Sequence, residues 1–247
     1  MLQLAVAAAL AVAGTTAAPD PATTARVEEG TLIVVGAPAR ASRIEVSGTT
    51  VGDTGAMRAG AGCTRLTVSR VQCASVQKIV IHLGGRNDAV VYDSAVPTEQ
   101  HGGDGDDSLQ GGSGPDVLLG GDGDDTMTGG LGPDQLFGGD GDDVLDEPVG
   151  DAGGNLLQGG PGNDKIDGAK LNMRDRADFS DHADGMTIDL AAGLATGPGE
   201  IDELKNVQDV YGTQGDDVLS GNAWPNKMYG LGGVDTCTQG PLDLCVQ

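Results

Sequence analysis

Five aspartates recur at every ninth residue through the middle of the chain: Asp107, Asp116, Asp125, Asp134 and Asp143. Carboxylates are hard, anionic oxygen ligands. Held in register they repel one another, unless a cation lies between them. Ca2+ suits such a lattice, because it takes about 6–8 oxygens at about 2.3–2.6 Å, from carboxylates and carbonyls alike. No His or Cys lies between residues 102 and 146, so a softer metal finds no ligand there. The same stretch holds twelve Asp and no Lys or Arg, so no side-chain cation neutralises it.

The frame around each Asp explains the spacing. From Gly102 to Asp146 the chain divides into five nonapeptides: GGDGDDSLQ, GGSGPDVLL, GGDGDDTMT, GGLGPDQLF and GGDGDDVLD. Each has Gly at positions 1, 2 and 4, Asp at position 6 and an apolar residue at position 8. The apolar residues are Leu109, Leu118, Met127, Leu136 and Leu145. After an insertion (Glu147, Pro148, Val149) the register resumes, with Asn155 and then Asp164 at position 6, and Leu157 and Ile166 at position 8. Glycines permit the positive φ of tight turns. One reliably apolar residue in nine buries little alone, so the units must stack. Odd units read GGDGDD and even units GGxGPD, which makes the full period eighteen residues.

The tandem GGxGxDxUx units resemble the calcium-binding nonapeptides of RTX (repeats-in-toxin) proteins. That resemblance implies an all-β fold, a right-handed parallel β-roll with a turn at each GGxGxD and a short strand at each xUx. Eighteen residues then make one coil, with odd turns stacked on one edge and even turns on the other. Calcium is expected between Asp107 and Asp125, Asp125 and Asp143, and Asp116 and Asp134. Asp143 with Asp164 is a further pair that must tolerate the insertion, and Asp134 with Asn155 is weakened by the lost charge. The additional acids of the odd turns (Asp104, Asp106, Asp122, Asp124, Asp140 and Asp142) are expected mainly to face solvent. An EF-hand is excluded, because the Gly and bidentate Glu of that loop are missing at their required spacings.

The flanks read differently. Residues 1–18 (MLQLAVAAALAVAGTTAA) are apolar and small, like a secretory signal peptide without its positive n-region. Residues 19–93 are expected to form a small antiparallel β domain, with strands at Thr31–Val35, Arg43–Val46, Leu66–Ser69, Lys78–Leu83 and Ala89–Tyr92. Within it GGRNDAVVY is a worn repeat, with Asp88 and Val90 in the Asp and apolar roles. Residues 94–101 read as a linker, 102–168 as the roll, and 169–211 as a strand-rich interruption with alternation over Met186–Leu190. Residues 212–247 form a second, degenerate block, with Asp217, Asn226 and Asp235 at position 6. Asp217 and Asp235, eighteen apart, are a further candidate calcium pair. The cysteines Cys63, Cys73, Cys237 and Cys245 allow three connectivities, of which proximity favours Cys63–Cys73 and Cys237–Cys245.

Composition bounds the function. The chain has 247 residues and a formal net charge of −23, which disfavours binding to nucleic acid or an anionic membrane through the net field. No internal stretch reads as a membrane helix. No HExxH or GxSxG motif is present, and His82, His101 and His182 have no evident catalytic partner. Asp53-Thr54-Gly55 spells the tripeptide of aspartic proteases, but only once. The sequence therefore predicts a non-enzymatic, secreted, extracellular calcium-binding protein whose roll folds on meeting Ca2+. A calcium-stiffened adhesion or cell-surface interaction protein, with a surface or extracellular-polymer partner, is the alternative, and a secreted hydrolase is a lesser one.

Overall fold

The computed structural model describes residues 22–38, 40–148, 153–168, 174–238, 240 and 243–246. The expected signal segment, 1–18, lies outside them. All regular structure among the described residues is β, arranged as a twelve-stranded and a fourteen-stranded sheet. Successive short strands alternate between the sheets, and each pairs in parallel with the strand one coil away. Ser108–Gln110 pairs with Thr126–Thr128, and Val117–Asp122 pairs with Gln135–Asp140. This is the parallel β-roll that the eighteen-residue period predicts.

The interior is almost single file. In one sheet Ile81, Gln100, Leu118, Leu136, Leu157 and Ala177 stand in register. In the other the file is Ile44, Val90, Leu109, Met127, Leu145, Ile166 and Leu204. Every residue in both files is buried. Position 8 of the nonapeptide is thus the core, and the glycines close the turns around it. Gly103, Gly121 and Gly139 adopt φ of +113°, +127° and +115°.

Two expectations about the N-terminal part are corrected. Residues 94–101 are not all linker, because Thr98–Asp104 is a strand paired with Lys78–Gly85 on one side and Val117–Asp122 on the other. Its polar sequence hid it. Gln100 takes an interior place and donates its Nε2 hydrogen to the Gln110 carbonyl at 2.9 Å. Leu66–Ser69 is not a strand but the turn between Cys63–Arg65 and Arg70–Cys73, which leaves Leu66 and Val68 exposed.

The segment before residue 94 is antiparallel at its outer end, in the hairpins Thr23–Glu28/Thr31–Val35 and Arg43–Ser47/Thr50–Asp53. Thr31–Val35 and Arg43–Ser47 then pair in parallel with Lys78–Gly85 and Ala89–Asp93. Both sheets therefore run from this segment into the repeats without a break. In the interruption, Leu194–Gly197 lies antiparallel between Thr187–Asp189 and Glu200–Lys205. Those neighbours pair in parallel with Val218–Ser220 and Lys165–Asp167, so one inserted strand joins the two repeat blocks.

Both favoured disulfides form. Cys63 and Cys73 are directly opposed on a hairpin. Cys237 continues the file below Leu219, and Cys245 the file below Met228, so their bond ties the two sheets together at the last coil. Among the described residues no helix is long and apolar enough to cross a membrane.

Candidate metal centre

Each position-6 residue stands two places before a core residue, at the start of a strand. That places it at an edge of the roll with its side chain turned along the stack. On the first edge the backbone N–H of each Asp donates to Oδ1 of the Asp one coil on. Asp88 donates to Asp107 at 2.6 Å, Asp107 to Asp125 at 2.7 Å, Asp125 to Asp143 at 2.7 Å, and Asp143 to Asp164 at 2.8 Å. The last rung, from Asp164 to Asp202, measures 2.9 Å. On the second edge Thr98 donates to Asp116 at 2.8 Å, Asp116 to Asp134 at 2.8 Å, Asp134 to Asn155 at 2.9 Å and Asn155 to Asp175 at 2.9 Å. In the second block Asp217 donates to Asp235 at 3.0 Å. The structure therefore brings together every predicted pair, including Asp143 with Asp164 across the insertion.

The other carboxylate oxygen is met differently from rung to rung. Asp116 Oδ2 accepts from the Gly112 N–H at 2.6 Å, and Asp217 Oδ2 from the Thr213 N–H at 2.7 Å. On the first edge, Oδ2 of Asp107, Asp125 and Asp143 is buried without a hydrogen-bond partner. A buried anionic oxygen with no partner is costly, and a cation removes the cost. A Cβ on Gly102 would lie 2.2 Å from Asp107 Oδ2 and 2.5 Å from the Gly120 carbonyl oxygen. Gly120 stands likewise to Asp125 Oδ2, at 2.1 Å, and the Gly138 carbonyl, at 2.5 Å. Position-1 glycine thus keeps open a space where carboxylate and peptide oxygens of successive coils converge. These are the hard ligands that Ca2+ requires, and the residues present fit that ion.

The outer acids do more than face solvent. Asp106 Oδ1 accepts from the Asp124 N–H at 3.2 Å, Asp124 from Asp142 at 3.0 Å, and Asp142 from Asn163 at 2.9 Å. They form a second, exposed ladder beside the buried one. Asp53, by contrast, is a structural anchor: it is buried, bonded to Thr23 and Arg40, and accepts from the Arg43 N–H at 3.3 Å.

Sequence reasoning missed Asp175 and Asp202 as rungs, because insertions carry them out of the eighteen-residue period. A shorter signal finds them. Asp175 precedes Ala177 by two residues and Asp202 precedes Leu204 by two, as Asp107 precedes Leu109. Another omission is His182, whose Nδ1 lies 2.9 Å from Asp181 Oδ1 and whose Nε2 lies 2.9 Å from Glu200 Oε1. The hydrogen bond to Asp181 and the surrounding acids raise it to about 9, against the cost of burial.

Without metal, burial and neighbouring like charges push Asp107 and Asp143 up to about 7 and Asp164 to about 8. Burial likewise lifts Asp116 and Asp125 to about 6. These values lie above the ordinary 3.8 of an unfolded Asp. The folded, metal-free roll therefore binds more protons than the unfolded chain, and its stability falls as pH rises through this range. In chelator, acidification from about pH 8 to about pH 5 should increase strand signal in far-UV circular dichroism. A flat response over that range would show that these carboxyls do not oppose metal-free folding.

Comparison with known families agrees with the geometry. The model of the RTX calcium-binding nonapeptide repeat matches the chain in four copies, over residues 101–136, 119–146, 149–170 and 211–238. These are calcium-binding repeats, and they mark the chain as a calcium-binding protein. No curated protein matches it.

Proposed function

Because the chain carries four copies of the RTX calcium-binding nonapeptide repeat, we propose that it is a secreted protein whose roll folds on binding extracellular Ca2+. The observation that carries this reading is the row of partnerless Oδ2 atoms on Asp107, Asp125 and Asp143. Calcium would sit between successive turns of the first edge, held by these carboxylates with Asp164 and by turn carbonyls. On the second edge Asp116 and Asp134, and in the second block Asp217 and Asp235, would supply further ligands, Asp116 and Asp217 once their Oδ2 atoms turn from the Gly112 and Thr213 N–H groups to metal. Binding free energy is then folding free energy. Two disulfides support an oxidising, extracellular setting. No catalytic role is assigned to any residue.

The test is bound calcium per chain, by equilibrium dialysis of the full chain. Asp125→Asn keeps a side-chain oxygen to accept the Asp107 N–H and removes the charge, and it should lower the bound calcium. Asp106→Asn, on the exposed outer ladder, should leave it unchanged. Wild-type binding by Asp125→Asn would overturn the assignment of the buried ladder as the metal site.

A further inference from the structure

We propose that Asp202 is a calcium ligand, held with Asp164 across a sequence gap of 38 residues, which adds a site to the first edge beyond the matched repeats. The proposal rests on the reading of the buried ladder as a calcium site. Asp202 belongs to GEIDEL, not to a GGxGxD turn, and the family match leaves it out.

Three observations carry it. The first is register: Ile166 pairs with Leu204, which puts Asp164 and Asp202 at equivalent places on neighbouring coils. Two bonds lock that register: the Asp164 N–H donates to Asp202 Oδ1 at 2.9 Å, and the Ile201 N–H to Asn163 Oδ1 at 3.0 Å. The second is the orphaned atom. Asp202 is 1% exposed, and its Oδ2 has no hydrogen-bond partner, the same condition as Asp107, Asp125 and Asp143. Where the roll leaves no such atom, a local donor supplies the bond, as Gly112 does for Asp116. Asp202 lacks that remedy, because it lies inside the strand Glu200–Lys205, which is committed to its hairpin with Leu194–Gly197. The third is charge retention. On the second edge the ladder admits amides, at Asn155 and at Gln208, whose Oε1 accepts from the Asp175 N–H. The first edge keeps a carboxylate at every rung from Asp88 to Asp202.

The His182 charge acts on Asp202 against the effect of burial, but the His182 ring nitrogens are engaged elsewhere. His182 lies between Asp181 and Glu200, 2.9 Å from each. The opposite end of the ladder makes a useful contrast. Asp88 shares the buried Oδ2 without a hydrogen-bond partner, and burial raises its carboxyl despite the Ser42 N–H and Arg40, but it has Leu83, not Gly, five residues before it. The extension is therefore assigned to Asp202 alone. On this reading the inserted hairpin does not interrupt metal binding but completes it at the junction of the two repeat blocks.

Two measurements on the full chain test the assignment. In crystals grown with calcium, anomalous scattering should show a peak within bonding distance of Asp202 Oδ2, beside Asp164. Peaks at Asp107, Asp125 and Asp143 with none at Asp202 would overturn the inference and leave the wider reading standing. No peak at any of these residues would overturn the wider reading itself. In solution Asp202→Asn, which keeps the oxygen facing the Asp164 N–H, should bind one calcium fewer than wild type. Wild-type stoichiometry in Asp202→Asn, alongside a loss in Asp125→Asn, would sink the proposal without the crystal.

Discussion

Chelation of calcium is expected to reduce the strand signal of residues 102–238 to that of a coil, and millimolar calcium to restore it cooperatively. The expectation follows from what each coil contains. A nonapeptide buries one apolar side chain such as Leu118 or Leu136, a contribution of about 1.5–3 kcal/mol. Ordering only two or three residues of its backbone costs about as much. The same unit buries a carboxylate, and on the first edge leaves one of its oxygens without a partner. Metal-free coils thus pair a small apolar gain with a large polar cost, and the formal charge of −23 adds repulsion along the stack. Residues 22–93 are built otherwise. Leu32, Val34, Ile44, Val46, Val51, Met57, Ile79 and Ile81 are all buried there, and Cys63–Cys73 closes a hairpin. Hydrogen exchange on the chelated full chain should therefore keep protection in residues 22–93 and lose it across the repeats. Because both sheets continue from one segment into the other, the N-terminal coils offer a paired edge on which the first calcium-bound coil can form. A chelated chain with an unchanged spectrum and uniform protection would refute calcium-coupled folding.

The parts of this fold that were legible in the sequence are those where one physical demand recurs at a fixed interval. Leu109 to Leu145 and Asp107 to Asp143 could be placed from spacing alone, because every nine residues the chain must turn, expose a ligand and fill the core. The ladder also reached Asp88 through a worn copy of the same pattern. Legibility failed where one demand was met by an unusual residue. Gln100 fills a core position with an amide that finds its own acceptor, so its strand showed no apolar signal. Leu66 and Val68 show the reverse: apolar alternation without burial, on a turn set by the neighbouring disulfide-linked strands. It failed again where insertions shift the count. Asp175 and Asp202 hold their rungs by pairing, at separations that no period predicts. The difference between rungs was invisible for another reason. Both edges carry Asp at position 6, and only the folded backbone shows that the Gly112 N–H meets the second oxygen of Asp116 while that of Asp107 has no hydrogen-bond partner.

Substitution of single glycines should distinguish a glycine that serves stacking alone from one that serves both stacking and the carboxylate site. Gly121 has φ +127°, and a Cβ there would lie 2.1 Å from the Gly103 carbonyl oxygen of the preceding coil. The obstacle is backbone, so no side-chain rotation relieves it. Backbone strain of this kind alone costs about 1–3 kcal/mol, and the contact adds to it. Gly121→Ala should therefore raise the calcium concentration needed for folding by about tenfold or more, since about 1.4 kcal/mol corresponds to a factor of ten. Gly120→Ala tests the other function. Gly120 needs no positive φ, but its Cβ would meet Asp125 Oδ2 at 2.1 Å and the Gly138 carbonyl oxygen at 2.5 Å. It should lower bound calcium even at concentrations that restore strand signal. Gly48→Ala is the control: φ is +59° with nothing within 4 Å of the added carbon, so the cost is confined to a left-handed turn, about 1 kcal/mol. A Gly121→Ala chain that folds at the wild-type calcium midpoint would mean that the coils do not approach this closely. A Gly120→Ala chain with full calcium would mean that the metal does not use the space beside Asp125. The two adjacent glycines thus share the close approach of one coil to the next, and the first also keeps open the space beside the carboxylate.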